Sequence, residues 1–272
     1  MNNFDSMPLV CEGESKIIRY VGNGMVAIKY KPTIYSFTHN RAGVVEGTDL
    51  LRLRASSVFL NVLKNADIPH AYQTVNLQEQ LVYSNLLMTK KSDGYEFIPT
   101  DDIDPKKLKL TCPIEVVVKS YHVGTPKHRY YGIEQYPTWY GEKITAGKKY
   151  SQQRVIRFDW RNPITDSNGV RLADECMPDD MACWYIKAFQ AKCLAGQAFS
   201  VLSQFLYERE IEIMDICFLI SSDGETIYSE ISQDCARFKY QGESLDKDIW
   251  RSGGSDEMVV RKWEKILELI GG

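Results

Sequence analysis

Between residues 9 and 30 the chain reads LVCEGESKIIRYVGNGMVAIKY, two runs rich in Val, Ile and Tyr divided at Gly22-Asn23-Gly24. β-Branched and aromatic residues suit a pleated, half-buried surface, and a Gly-Asn-Gly step provides the positive φ of a tight turn. The pattern therefore predicts an antiparallel opening. After a loop with Pro32, Thr33 and Gly43 the period changes. Leu51, Val58, Leu60 and Val62 recur at helical spacing, Thr48 stands where a capping hydroxyl belongs, and Ile68-Pro69 closes the segment.

Apolar runs return at 80–90 (QLVYSNLLMTK) and 113–119 (PIEVVVK), which read as strands on either side of a charged, turn-rich connection. Residues 120–155 are rich in Tyr, Gly, Lys and His and show no period, which predicts a long functional loop or lid. Its aromatics Tyr130, Tyr131, Tyr136, Trp139 and Tyr140 suit either stacking on a base or packing the lid down. The 35 residues from Cys176 to Glu210 predict one long helix or two consecutive ones with an apolar face. IMDICFLI, the turn Ser222-Asp223-Gly224-Glu225 and TIYSEIS predict a final hairpin, and Val259, Trp263, Ile266 and Leu267 mark a terminal amphipathic helix. Strands, a helix, more strands, then helices and a hairpin point to an α+β fold rather than a repeating βαβ sheet.

Composition narrows the function. The 272 residues, 44% hydrophobic and 25% charged, suffice for one large domain or two small lobes with a sizeable core. A net charge of -3 and a pI near 5.9 give no overall attraction for nucleic acid or an anionic membrane, so an anionic ligand needs a local basic site. The seven cysteines are odd in number, scattered and never spaced as CxxC, which argues against a disulfide framework or zinc site and for a reducing, cytoplasmic home. No basic-then-apolar leader and no run of ~18 apolar residues is present, so neither export nor membrane insertion is expected. The four histidines lack zinc-hydrolase spacing, and GxSxG, Walker-type and post-strand GxGxxG signatures are missing.

Four segments carry the chemistry: Glu12-Gly13-Glu14-Ser15-Lys16; Pro113 to Lys119; Glu230-Ile231-Ser232-Gln233-Asp234-Cys235-Ala236-Arg237; and Leu245-Asp246-Lys247-Asp248. In order and spacing they resemble the SAICAR synthetase family, over nearly the whole chain. That resemblance implies an antiparallel N-terminal lobe with a helix on the nucleotide side over 1–90 and a larger α+β substrate lobe over 91–272. It also implies ATP and Mg2+ as cofactors, a phosphorylated aminoimidazole ribotide and an amino acid (aspartate) as substrates in purine biosynthesis, and a homo-oligomer.

Residue by residue, the resemblance assigns Gly13 and Lys16 to nucleotide phosphate, and Asp215 and Glu230 to catalysis and magnesium, with Lys247 as a further catalytic residue. Lys119, Ser120, Thr125, Arg129, Asp234, Arg237 and Arg251 fall to the substrate. Lys127 and His128 extend the basic run beside Thr125.

The chain also departs from the family pattern. The D-x-K-x-E strand reads Asp215-Ile216-Cys217-Phe218-Leu219, and the acid before Glu230 is Ser229. Magnesium takes hard oxygen ligands, and Leu219 offers none. Two readings follow: a shifted metal site around Asp215 and Glu230, or a divergent paralogue. The paralogue would act on another ribotide or carboxylate, without ATP, or only bind its ligand.

Overall fold

The computed structural model describes residues 4–36, 41–124, 130–151, 154–162, 165–170, 172 and 174–272. The opening pattern yields three strands where two were expected, β1 (Leu9–Glu12), β2 (Lys16–Gly22) and β3 (Met25–Tyr30), because the chain already doubles back at Gly13–Ser15. There the Gly13 N–H donates to the Lys16 carbonyl at 2.9 Å. The second turn is the expected one, with Gly22, Asn23 and Gly24 at φ 114, 52 and 69°.

A small hairpin, β4 (Thr33–Ser36) and β5 (Arg41–Val44), leads into α1 (Thr48–Asn65). Thr48 does not cap this helix. It is the first helical residue, Gly47 at φ 84° takes the cap position, and the Thr48 hydroxyl donates back to the Val45 carbonyl at 2.7 Å. Next, β6 (Tyr72–Asn76) and β7 (Leu81–Asn85) complete a sheet in the order β1-β2-β3-β7-β6. The 80–90 run is thus split, its end forming β8 (Lys90–Lys91) against β9 (Gly94–Tyr95).

The second sheet takes β10 (Ile114–Lys119), β11 (Val155–Trp160), β12 (Glu175–Met177), β13 (Ile211–Leu219), β14 (Ala236–Tyr240) and β15 (Glu243–Ser244), ordered β12-β11-β10-β13-β14-β15 and antiparallel throughout. The long helical stretch resolves into two helices, α2 (Asp179–Ala182) and α3 (Ala188–Tyr207), after β12 and Pro178. The chain ends in α4 (Asp248–Arg251) and α5 (Asp256–Ile270). The expected hairpin closes only as an isolated bridge between Ile220 and Ile227. β13 takes β14 as its partner, and residues 228–235 form the loop that carries Glu230 and Asp234.

One face of this second sheet, with Ile114, Val116, Val118, Phe158, Ile216, Phe218 and Phe238, is buried in the main core with α1, α3 and α5. Each such side chain contributes roughly 1.5–3 kcal/mol by leaving water. Helix α1 serves both sheets. Leu53 and Leu60 join the core under the first sheet, while Leu51, Ala55, Phe59 and Leu63 join the larger one, where Phe59 stacks on Phe238 at 6.0 Å. Among the described residues no helix is long and apolar enough to cross a membrane.

Candidate active site

The opposite face of the second sheet is polar, and its register fixes which side chains share it. In an antiparallel ladder, directly paired residues point the same way and alternate residues repeat on one face. Arg237, Asp215, Lys119 and Val155 therefore stand in one row across β14, β13, β10 and β11. Cys217, Val117 and Arg157 form the next row, and Leu219, Glu115, Asp159 and Cys176 a third.

In the first row Asp215 lies between two cations. The Lys119 ammonium donates to Asp215 Oδ2, and Arg237 Nη1 donates to the same oxygen at 2.7 Å. Arg237 Nε reaches Asp248 Oδ2 at 3.0 Å, so the arginine ties the sheet to α4. Burial pushes the Asp215 carboxyl upward, but the charges of Arg237 and Lys119 outweigh that and hold it below its ordinary value. Gly124, at φ 69°, arches over this row. A Cβ there would come within 3.2 Å of Arg237 Nη1 and 3.4 Å of Lys119 Nζ, so a side chain at this left-handed turn would press on both cations.

The second cluster centres on Glu230. Arg52, fully buried on α1, grips it as a fork, Nε to Oε1 at 2.9 Å and Nη2 to Oε2 at 2.6 Å. The Ser232 hydroxyl donates to Oε1 at 2.5 Å, and Lys16 Nζ stands 3.0 Å from Oε2. Both cations also lie over the Tyr30 ring, at 5.3 Å for Lys16 and 5.0 Å for Arg52. Burial opposes the Glu230 charge, yet Arg52 and Lys16 hold this carboxyl far below the usual range. Beside it Lys247 Nζ donates to Asp234 Oδ1 at 2.5 Å; against burial, Lys247 and then Arg52 keep the Asp234 carboxyl low. Asp234 and Arg237, both assigned to the substrate, stand in two separate pairs, Asp234 with Lys247 and Arg237 with Asp215.

The assigned metal residues do not fit a magnesium ion. A hard divalent ion takes carboxylate oxygens that other cations have not claimed. Asp215 and Glu230 are each held by two cationic side chains. Cys217 and Leu219 follow Asp215 on its face, and Ser229 Oγ accepts the Leu219 N–H at 3.1 Å. Among the described residues no group of three or more His, Cys, Asp or Glu side chains is disposed to hold a metal ion.

Of the other assigned residues, Gly13 shapes the turn beside Lys16, its N–H donating to the Lys16 carbonyl. Ser120 is not brought to the row. Its hydroxyl donates to the Ile213 and Met214 carbonyls at 2.7 and 3.1 Å, and it lines a separate groove of about 370 Å³ with Arg154, Phe199 and Ser203. Thr125 and Arg129, with Lys127 and His128, lie outside the described residues. Arg251 ends α4, and its side chain is likewise outside them. The 130–151 excursion leaves Tyr131 and Trp139 91% and 96% exposed, so these aromatics are not packed down. Its return is tethered by His122 N–H to Lys148 O and Tyr150 N–H to Ser120 O, both 2.9 Å.

Sequence reasoning missed Arg52 altogether and gave Ser232, Asp248 and Gly124 no role of their own within the matched segments. Arg52 did leave a signal, a cation among the apolar positions of α1 between Leu51 and Leu53, where a buried carboxylate is required.

The SAICAR synthetase family model matches residues 9–269. A phosphoribosylaminoimidazole-succinocarboxamide synthase of Persephonella marina is 26% identical over 270 residues, covering 95% of this chain and 94% of its own. The bifunctional cordycepin biosynthesis cluster protein 3 of Cordyceps militaris is 26% identical over 312 residues and 96% of this chain. This chain spans only 32% of that protein's length. Among solved structures, the phosphoribosylaminoimidazole-succinocarboxamide synthase of Ehrlichia chaffeensis superposes with a TM-score of 0.74 at 18% identity, covering 97% of this chain and 98% of that one.

Proposed function

Since this chain belongs to the SAICAR synthetase family of carbon–nitrogen bond-forming ligases, we propose that its polar sheet face seats a phosphorylated aminoimidazole ribotide-like substrate and joins that substrate's carboxylate to an amino acid amine. The observation that carries this reading is the Arg237–Asp215–Lys119 row beneath Gly124. Arg237 is the more accessible cation of the pair, its side chain 17% exposed against 4% for Lys119, so it meets the anionic group while Lys119 and Asp215 hold it in place. Asp234 and Lys247 form the second polar contact, suited to a ribose hydroxyl or an amine on one side and an anion on the other.

A free carboxylate is a poor electrophile, and the family's chemistry answers this with ATP. Transfer of the γ-phosphoryl group to a carboxylate oxygen gives an acyl phosphate and ADP. The amine nitrogen then attacks the acyl carbon, inorganic phosphate leaves with the C–O electron pair, and the nitrogen loses a proton. In this reading Lys16 and Gly13 face the nucleotide, while Lys119, Asp234, Arg237 and Lys247 orient the ribotide. The test is calorimetric titration with carboxyaminoimidazole ribotide. Arg237→Ala should weaken binding by roughly 30-fold or more, the loss of a charge-assisted contact. Unchanged affinity would refute the assignment.

A second reading is favoured by Cys217, Leu219 and Ser229 and by the occupied state of Glu230. It is a paralogue that uses the same substrate face on a different ribotide or carboxylate. Turnover assays with and without ATP separate the two.

A further inference from the structure

A carboxylate has about four lone-pair sites, two on each oxygen. In Glu230 all four are taken. Oε1 accepts from Arg52 Nε at 2.9 Å and Ser232 Oγ at 2.5 Å, and Oε2 meets Arg52 Nη2 at 2.6 Å and Lys16 Nζ at 3.0 Å. Arg52 is rigidly placed: its remaining arm, Nη1, donates to the Lys31 carbonyl at 3.0 Å, and its side chain is wholly buried. Asp215 has Lys119 and Arg237 on one oxygen, and its neighbours along the face are a thiol and an isobutyl group. A divalent ion approaching Glu230 would face two positive charges at contact range, and one approaching Asp215 would find its Oδ2 shared by two, in a site too buried for water to screen them.

We propose that this pocket neutralises its two central carboxylates with its own cations, Arg52 and Lys16 at Glu230 and Lys119 and Arg237 at Asp215, and that neither carboxylate is a divalent-metal ligand. The inference concerns charge compensation in the protein and rests on the family-type pocket proposed above only for its location. Lys16 is the accessible member of the Glu230 clamp, its side chain 20% exposed, and beyond its bonds to Glu230 and Tyr72 it keeps one N–H donor for an anionic group of a ligand. An anion therefore meets Lys16 directly rather than through a bridging metal.

The test uses Mn2+ alone, followed by the electron paramagnetic resonance signal of the free ion, on the whole chain. Wild type should leave that signal unchanged up to millimolar protein. The double variant Leu219→Glu/Ser229→Asp, which returns carboxylates to both altered positions, should bind Mn2+ at least ten-fold more tightly than wild type. Circular dichroism and urea midpoints identify a variant that has failed to fold. Should that happen, wild type, Asp215→Asn and Glu230→Gln decide the matter. Wild-type binding below about 100 μM that is lost in Asp215→Asn or Glu230→Gln overturns the proposal. Binding indifferent to both substitutions places the metal elsewhere and sustains it. No ribotide enters these titrations, so their outcome is independent of the Arg237→Ala experiment that tests the ligase reading.

Discussion

Replacing Arg52 with methionine isolates the energetic role of the clamp. The substitution keeps an unbranched stem in a fully buried slot but removes the fork that holds both oxygens of Glu230. Deleting one partner of a buried pair costs roughly 3–5 kcal/mol, because the other charge stays in the interior. Lys16 at 3.0 Å and the Ser232 hydroxyl at 2.5 Å still face the carboxylate, which puts the expectation near the lower end, about 3 kcal/mol. With an unfolding entropy of ~2.1 cal/mol/K per residue, a chain of 272 residues should then melt about 5 °C lower. Urea midpoints and calorimetry at pH 7 measure both.

Acidity adds a second readout. The folded Glu230 carboxyl titrates far below its unfolded value, since Arg52 and Lys16 overcome the opposing effect of burial. The clamp's contribution is thus complete above the ordinary carboxylate range, near pH ~4.3, and is lost as the pH falls toward the folded value. The gap between wild type and Arg52→Met should narrow below that point. Arg52→Met/Glu230→Met, which removes both charges, should recover most of the loss. If the single variant unfolds with wild type at pH 7, or the double variant proves worse than the single, Arg52 does not neutralise Glu230 inside the fold.

Gly124→Ala forces a side chain onto a backbone at φ 69° and within 3.2 Å of Arg237 Nη1. A cost of about 1–2 kcal/mol should appear as roughly 5–30-fold weaker ribotide binding by calorimetry, whereas equal affinity would separate the turn from the site. Asp174 lies near Glu115 and accepts the Asn162 N–H at 3.2 Å. Burial first, then Glu115, pushes its carboxyl up to about 7. The folded chain keeps this proton through an interval in which the unfolded chain has already released it, so stability falls as pH rises from about 4 to about 7. Asp174→Asn should therefore gain on wild type in urea midpoint between pH 5 and pH 8, and a constant difference would contradict the shifted titration.

Elements with a strong period were legible in the sequence. The Gly22–Gly24 turn, the PIEVVVK strand and the α5 stripe of Val259, Trp263, Ile266 and Leu267 sit where the pattern puts them. The pairing of β13 was not. Its nearest apolar run, 226–232, lies across a favourable turn, yet β13 pairs with Ala236–Tyr240 because 228–235 must leave the ladder to carry Glu230 and Asp234. The acids and cations of the site were legible as residues but not as partners. Nothing local distinguishes Asp234–Arg237, three apart in sequence, from the pairs actually made, Asp234–Lys247 and Arg237–Asp215, which only the sheet register and the α4 approach define. Arg52 stood out as a cation among apolar positions, but its partner, 178 residues away, could not be read.

That separation bears on how the chain reaches its native state. Until residue 230 has left the ribosome, α1 carries an arginine on the side it must bury and no carboxylate to receive it, so its docking between the two sheets is held back. Closing a loop of this length is entropically slow, and most of the polypeptide must be present before the contact rewards it. The N-terminal sheet and its helix are accordingly not expected to fold as an early, self-sufficient unit. Chains truncated ahead of Glu230 should therefore leave the apolar side of α1 uncovered and be cleaved by protease faster than the full chain.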